Sequence, residues 1–330
     1  MKYNLAILGA TGAVGMEMIN ILAERNFPVD ELRLLASSRS AGKKIDTPFG
    51  EITVIEATSN AFEGIDIVLG AAENDISVRF AEDIKKSGAI YIDNSSAFRM
   101  NDDVPLVVPE INPEDVKKHN GIIANPNCTT IITLVAINGI RKLSEIKGIY
   151  ASSYQAVSGA GAGGPVEMYE QSKSILNGEK TVESKVFAHQ IAFNLIPQIG
   201  GFGENGYSSE EMKLQNEGRK IMHLPNLTVS CTCVRVPVER SHSISANIIT
   251  ADRLELEDVE NMIAKMPGCK LMMGDEYPMP IDTSNQDTVF VGRIRRDLVN
   301  ENGINLFCCG DQVRKGAATN AVQIAELLIN

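Results

Sequence analysis

An α/β fold in two parts is predicted by three features of the sequence. The chain opens with a strand, a glycine-rich turn and a helix; short β-branched runs then alternate with helical periods; and beyond Cys128 the strands lengthen. In order, "YNLAILGA" reads as a strand, and Val14 to Arg25 carries helical spacing. "LRLLAS", "IDIVLGA", "AIYIDNS" and "GIIAN" follow as strands, with a helical "ISVRFAEDIKKSG" among them. This alternation predicts a parallel sheet covered by helices over residues 1–127. After the helix that starts at Cys128 come the long strands "IKGIYASSYQAVSG", "LTVSCTCVRVPV", "HSISANII" and "DTVFVGRIRRDL". The helices "GPVEMYEQSKSIL" and "SEEMKLQNEGRKIM" lie among them, so residues 128–312 are expected to form an α+β domain with a mixed, largely antiparallel sheet. The final segment, "DQVRKGAATNAVQIAELLIN", reads as a helix with Ala318, Val322, Ile324 and Leu328 contributing an apolar stripe.

Size and composition agree with two domains. A chain of 330 residues exceeds one ordinary core, and 44% hydrophobic with 22% charged residues describes a soluble globular protein. The net charge of -11 argues against nucleic acid as a partner, and no basic stripe is present. No apolar run approaches a membrane span, and the sequence enters a strand directly after Met-Lys-Tyr, which is not a secretory signal pattern. The six cysteines form no CxxC pair and have no histidines at zinc spacing, so they are expected to be free thiols in a reducing cytoplasm, with no metal site.

Two regions carry chemistry. Gly9 to Gly15 reads GATGAVG, between a strand and a helix, where glycines let the backbone approach a pyrophosphate at the helix N-terminus. This is the Rossmann-type position for a dinucleotide, although a tight turn packed closely would read the same way. At the end of the second strand, "LLASSRSAGKK" offers Ser38, Arg39 and Ser40 and no carboxylate. A guanidinium flanked by hydroxyls suits a 2′-phosphate and favours NADP over NAD; a solvated basic loop is the alternative.

The second region centres on Cys128, which follows Asn125-Pro126-Asn127 and leads an apolar helix. A sulfur at a helix N-terminus is favoured as a thiolate, but a packed, inert thiol is the commoner fate of a cysteine. Further on, Val229, Cys231 and Cys233 share a strand face that Arg235 continues. A guanidinium on an apolar face is costly unless it meets an anion. Past Pro237, His242 falls in phase with Ile244, Ala246 and Ile248. Either residue alone reads as a structural pair or a satisfied core group; two leaning inward within seven positions point to a cleft.

Taken together, GATGAVG, "SSAFRM" at 95–100, "NPNCTT" at 125–130, "QAVSGAGAGG" at 155–164, "EEMK" at 210–213, "RVPVERSHS" at 235–243 and "GDQVRKGAATN" at 310–320 resemble the aspartate-β-semialdehyde dehydrogenase family. The resemblance runs from the first strand to the last helix. The related N-acetyl-γ-glutamyl-phosphate reductases are the alternative; Asn127 before the cysteine, Gln155 and the Glu210/Lys213 pair fit the aspartate enzymes better. A catalytically silent relative acting as a binding protein is opposed by Cys128, Gln155, Arg235 and His242 occurring together.

The resemblance implies NADPH-dependent reduction of 4-phospho-L-aspartate to L-aspartate 4-semialdehyde and phosphate, a step toward lysine, threonine, methionine and isoleucine. It implies that Cys128 forms a thioester, His242 works as acid and base, and Gln155 orients the acyl group. Arg235 is matched to the substrate carboxylate, Glu210 (or its neighbour Glu211) to the ammonium, and Arg99 with Lys213 to the phosphate. Gly9, Thr11, Gly12, Ala13 and Val14 match the phosphate loop, Ser38, Arg39 and Ser40 the NADP selector, Ser158 and Gly159 the nicotinamide loop. Gln312 matches a cofactor contact, with Asn320 weaker, which assigns the terminal helix, 313–330, to the first domain. "GAAENDIS" at 70–77 departs from the Ser/Gly-rich loop usual near the adenosine. The family further implies a homodimer joined through the second domain.

Overall fold

In a computed structural model, which describes residues 1–329, the chain forms two compact units: Met1–Asn127 with the segment from Ala317, and Cys128–Gly316. The first contains strands β1 (Tyr3–Leu8), β2 (Val29–Ala36), β3 (Lys44–Thr47), β4 (Gly50–Thr53), β5 (Ile55–Glu56), β6 (Ile67–Gly70), β7 (Ile90–Asp93) and β8 (Ile122–Ala124), with helices α1 (Ala13–Glu24) and α2 (Asn74–Lys86). The second contains α3 (Cys128–Leu143), β9 (Ile146–Gln155), α4 (Gly163–Leu176), α5 (Ser209–Met222), β10 (Thr228–Arg235), β11 (His242–Thr250), α6 (Leu256–Ile263), β12 (Cys269–Leu271), α7 (Pro280–Thr283), β13 (Val289–Arg296) and β14 (Gly303–Gly310). Helix α8 (Thr319–Ile329) completes the first unit.

The first sheet runs β5-β2-β1-β6-β7-β8 with every pair parallel. Its strands are buried on both faces, as Leu5, Ala6, Ile7 and Leu8 show, because helices lie over a parallel sheet. Helix α1 buries Met18, Ile19, Ile21 and Leu22; α8 buries Ala321, Val322, Ile324 and Ala325 in the same core. Each large aliphatic side chain so buried contributes about 1.5–3 kcal/mol.

The second sheet runs β10-β9-β11-β14-β13-β12. Its four central strands are antiparallel, and the outer strands β10 and β12 pair parallel to their neighbours. Helix α3 is buried at every position from Thr129 to Ile140. A helix enclosed on all sides is held rigidly, and it carries Cys128 at its first position. This is the predicted fold class: a parallel sheet first, a mixed sheet second.

Three details differ from the sequence reading. Strand β14 ("GINLFCCG") and the hairpin β3–β4 were not predicted. Buried Ile304, Leu306 and Cys308 alternate with half-buried Asn305 and Phe307, but only Asn305 marks the outward face as polar, and the terminal glycines imitate a loop. The C-terminal helix begins with a wide turn at Arg314–Ala318, where the Gly316 N–H reaches the Asp311 carbonyl, before α8 starts. The Asp311 carboxylate accepts the Val313 and Arg314 amides and caps that turn. The last residue of the helix expected over 313–330 lies outside the described residues. Among the described residues no helix is long and apolar enough to cross a membrane.

Candidate active site

Strand register gathers the second unit's polar groups at one end of its sheet. β9 and β10 run parallel with Gln155 directly opposite Arg235. β11 starts at His242 beside the end of β9, with Ser243 opposite Tyr154. Gln155, Arg235 and His242 are all buried there. Helix α5 closes the group from its first turn: the Gln155 Nε2 donates to Glu210 Oε1 at 3.2 Å, and the Lys213 Nζ donates to Glu210 Oε2 at 2.7 Å. Glu210 is therefore a bridge between the amide of β9 and a half-exposed lysine.

Glu211 faces elsewhere. It forms a capping box with Ser208, and its Oε1 accepts the Cys233 amide at 2.9 Å. The box anchors α5 to β10, next to Arg235. Of the two carboxylates, Glu210 is the one turned toward Gln155. The S-x-x-E pattern of Ser208–Glu211 was the sequence signal that separates them.

Arg235 stacks its guanidinium 5.8 Å from the Phe187 ring centre and donates from Nη1 to the Ala156 carbonyl at 2.7 Å. Burial lowers its pKa, against an opposing electrostatic influence from Cys128, Glu210 and Cys233. His242 Nδ1 accepts the Ala156 N–H at 3.1 Å. Burial, and then the Arg235 charge, push the His242 pKa from the ordinary 6.5 to about 3, against the weaker pull of Glu210. A Cβ on Gly159 would lie 2.8 Å from Arg235 Nη1 and 3.2 Å from His242 Nε2, so only glycine leaves that approach open.

The cysteines separate cleanly. Cys231, Cys233, Cys308 and Cys309 are buried. Hydrogen bonding to Cys233, and then burial, raises the Cys231 pKa; burial raises that of Cys308 and pushes Cys309 up to about 12. Cys269 is half-buried and donates to the Val135 carbonyl. Cys128 is half-exposed at the N-terminus of α3, and Gly316 leaves room beside it, where a Cβ would come within 2.8 Å of the Cys128 Cβ. Its position at the helix start is the environment that favours a thiolate.

Ser158 and Gln312 form a brace. Gln312 Oε1 accepts the Ser241 amide at 2.9 Å, and its Nε2 donates to Ser158 Oγ at 2.6 Å. Ser241 itself has φ of +76°, an uncommon conformation for a non-glycine residue, and its hydroxyl meets that of Thr283 at 2.6 Å. Neither Ser241 nor the Ala156 main chain was singled out in the sequence; both act through backbone geometry, which residue identity does not disclose.

In the first unit, Gly9 has φ of +90°, and a Cβ there would meet the Ala71 carbonyl at 2.7 Å. On Gly15 a Cβ would meet the Gly9 carbonyl at 2.5 Å. The turn is thus a cradle that only glycines form, and the Gly9 and Ala10 amides are anchored on the Leu35 carbonyl of β2. Thr11, Gly12 and Ala13 are exposed and Val14 half-buried. Helix α1 has neither a capping side chain nor an acid in its first turn, which suits an anion at its N-terminus. Ser38 and Arg39 are exposed just beyond β2, with Ser40 half-buried. The unusual segment at 70–77 passes Gly9 through Ala71 and Ala72 and enters α2 at Asn74.

Arg99 is buried, its Nε donating to the Asn125 carbonyl and its Nη2 to the Asn94 carbonyl. Asn320 is also buried and braces Asn125 and the Val107 carbonyl. Among the described residues no group of His, Cys, Asp and Glu side chains is placed to hold a metal ion.

Comparison with known proteins covers both units. The family described as "Semialdehyde dehydrogenase, NAD binding domain" matches residues 4–119, and "Semialdehyde dehydrogenase, dimerisation domain" matches residues 137–315. The chain is 50% identical to an aspartate-semialdehyde dehydrogenase of Synechocystis sp. over 98% of this chain and 97% of that protein. It is 48% identical to the enzyme of that name from Bacillus subtilis, covering 98% of this chain and 97% of the relative. A crystal structure of aspartate semialdehyde dehydrogenase II from Vibrio cholerae, complexed with ASA, superposes with a TM-score of 0.98 at 44% identity, covering 100% of this chain and 98% of that one.

Proposed function

Because the chain belongs to the aspartate-semialdehyde dehydrogenase family, we propose that it reduces 4-phospho-L-aspartate to L-aspartate 4-semialdehyde and phosphate through a thioester on Cys128. The observation that carries this reading is a half-exposed cysteine at a helix start in the same unit as a buried cluster of Gln155, Arg235, His242 and Glu210. The sulfur attacks the acyl carbon, phosphate leaves, and a thioester remains; reduction gives a thiohemiacetal that collapses to the aldehyde. The nicotinamide cofactor, when bound, supplies the hydride.

Each neighbour then has a task that its setting supports. Arg235 offers a guanidinium fork to the substrate carboxylate. Glu210 meets the α-ammonium, since Glu211 is committed to the helix cap and to Cys233. Gln155, held by Glu210, directs its amide at the acyl intermediate. Lys213, half-exposed beyond Glu210, serves the phosphate, a role that the resemblance extends to Arg99 in the first unit. His242 faces the reacting oxygen.

We infer that residues 1–127 with 313–330 form the dinucleotide-binding domain and residues 128–312 the catalytic and dimerisation domain. The nicotinamide-cofactor fit rests on the glycine cradle and on the match to an NAD-binding domain. NADP is the dinucleotide proposed, through Arg39 and its flanking serines. Ser158, Gly159 and Gln312 form the loop proposed to approach its nicotinamide. Arg39→Ala is expected to weaken NADPH roughly 10- to 150-fold, the loss of one charge-assisted hydrogen-bond partner, and NADH no more than about twofold. Fluorescence titration with each cofactor checks this; equal losses would remove Arg39 as the selector. The dimerisation-domain match supports a homodimer, and six free cysteines support a reducing, cytoplasmic setting.

The test of function is a parallel assay with aspartate semialdehyde and N-acetylglutamate semialdehyde, each with phosphate and NADP. Turnover of the first by a factor of 10² or more over the second is expected, because a site with a buried carboxylate for an ammonium rejects the acylated nitrogen. The opposite preference would overturn the assignment.

A further inference from the structure

We propose that Asp93 is a positioning residue for phosphate: with Ser95 it sets the loop 94–99 so that the Arg99 guanidinium meets the anion in one orientation. The inference rests on the reading of Arg99 as a phosphate ligand and deepens it.

Asp93 ends β7 and is completely buried. Its Oδ1 accepts the Ser77 hydroxyl at 2.8 Å and the Ser95 N–H at 3.1 Å, and its Oδ2 accepts the Ser95 hydroxyl at 2.6 Å. The Tyr91 hydroxyl is shared between Ser77 Oγ at 2.9 Å and Asp93 Oδ1 at 3.2 Å. Burial, and then the Asp93 charge, raises the Tyr91 pKa, so the phenol keeps its proton for this network. A buried carboxylate is costly unless donors take up its lone pairs, so Asp93 and these hydroxyls fix one another.

The network reaches Arg99 from two sides. Arg99 Nη2 donates to the Asn94 carbonyl at 2.7 Å, and Asn94 is the residue after Asp93. Arg99 Nε donates to the Asn125 carbonyl at 3.0 Å, and the Asn125 N–H is bonded to the Asp93 carbonyl at 2.7 Å. Both groups that grip the guanidinium are therefore tied to Asp93. Between Asp93 and Arg99, Ser95 Oγ also accepts the Ala97 N–H at 3.2 Å, which fixes the course of the loop. A guanidinium held at Nε and Nη2 has a fixed plane, and a fixed fork meets an anion with little ordering left to lose.

The segment at 70–77, which departs from the family pattern, takes part in the same brace. The Gly70 carbonyl accepts the Asn94 N–H at 3.1 Å and the Asn94 side-chain amide at 2.6 Å. A Cβ on Gly70 would lie 2.6 Å from the Tyr91 hydroxyl oxygen, so glycine makes room for the phenol. Asn74 Oδ1 accepts the Ser96 N–H at 2.9 Å, and its Nδ2 donates to Ser96 Oγ at 3.0 Å. Helix α2 thus holds Ser96 directly through Asn74 and Ser95 through Ser77 and Asp93.

The experiment is steady-state kinetics of the full chain in the oxidative direction, with inorganic phosphate varied. Ser95→Ala removes the hydroxyl that joins Asp93 to the Ala97 amide. It should raise KM for phosphate roughly tenfold, the scale of a small misplacement of a binding group, with KM for aspartate semialdehyde and NADP within about twofold. Asp93→Asn should raise it at least as far; should that variant fail to fold, Ser95→Ala and Ser77→Ala carry the test. A lowered unfolding midpoint in Ser95→Ala with an unchanged phosphate KM would make the network structural only and overturn the proposal. A double-mutant cycle distinguishes this from failure of the Arg99 reading. In the Arg99→Ala chain, Ser95→Ala should change the phosphate KM by less than about twofold, because it acts through Arg99. An equal effect in both backgrounds would overturn the proposal while leaving Arg99 a phosphate ligand. If Arg99→Ala itself keeps the parental phosphate KM, the Arg99 reading fails and the inference falls with it.

Discussion

Cys128→Ala is expected to lose turnover by roughly 10⁴-fold or more, the scale on which deletion of a catalytic nucleophile acts. NADPH binding and the unfolding midpoint should remain those of the parent. The sulfur sits at a half-exposed helix start, and alanine keeps the Cβ that packs against Gly316, so the substitution opens no core cavity. Truncating the fully buried Cys308 is a different case, because its thiol fills the middle of β14. Mass spectrometry supplies the direct check. The parent, given aspartyl phosphate without NADPH, should carry the acyl group on the peptide containing Cys128, and the variant should carry none. A variant that turns over within tenfold of the parent would sink the covalent pathway.

What the sequence disclosed follows from how each feature is encoded. The glycine turn was legible because Gly9 and Gly15 meet steric limits that no other residue satisfies. Arg235 was legible because a charge continuing the apolar face of Cys231 and Cys233 violates the strand's own pattern. β14 was not, because Asn305 is the only polar side chain on its outward face and glycines bound it at both ends. The choice between Glu210 and Glu211 was open from helical spacing alone, although the cap at Ser208 distinguishes them. His242 was readable as an inward-facing imidazole, and its sequence suggested work near neutral pH. Its depressed pKa depends on complete burial and the Arg235 charge, which meet only after folding. Ser241 and Ala156 contribute through φ and peptide orientation, so their side chains gave nothing to read.

Arg235 yields the second large effect. Arg235→Lys keeps a cation but not the planar fork, and it loses the Nη1 bond to the Ala156 carbonyl. Breaking a buried, hydrogen-bonded charge pair costs about 2–5 kcal/mol, so kcat/KM for aspartate semialdehyde should fall roughly 30- to 5,000-fold. The loss should appear chiefly in KM for that substrate, with KM for phosphate and NADP little changed; an unaltered KM for the semialdehyde would exclude Arg235 from carboxylate binding. Arg235→Met removes the charge as well, and this reaches His242. The His242 pKa in the folded chain lies below its unfolded value of 6.5, at about 3. As pH falls through 6.5 the unfolded chain takes up this proton first, so stability declines from there until the folded imidazole also protonates near pH 3. Without the Arg235 cation the folded pKa rises, the window narrows at its lower edge, and less stability is lost to acid. Urea midpoints of parent and Arg235→Met should therefore converge between pH 7 and pH 4, since groups unaffected by the substitution contribute equally to both. A constant difference across that range would show that the Arg235 field does not act on His242.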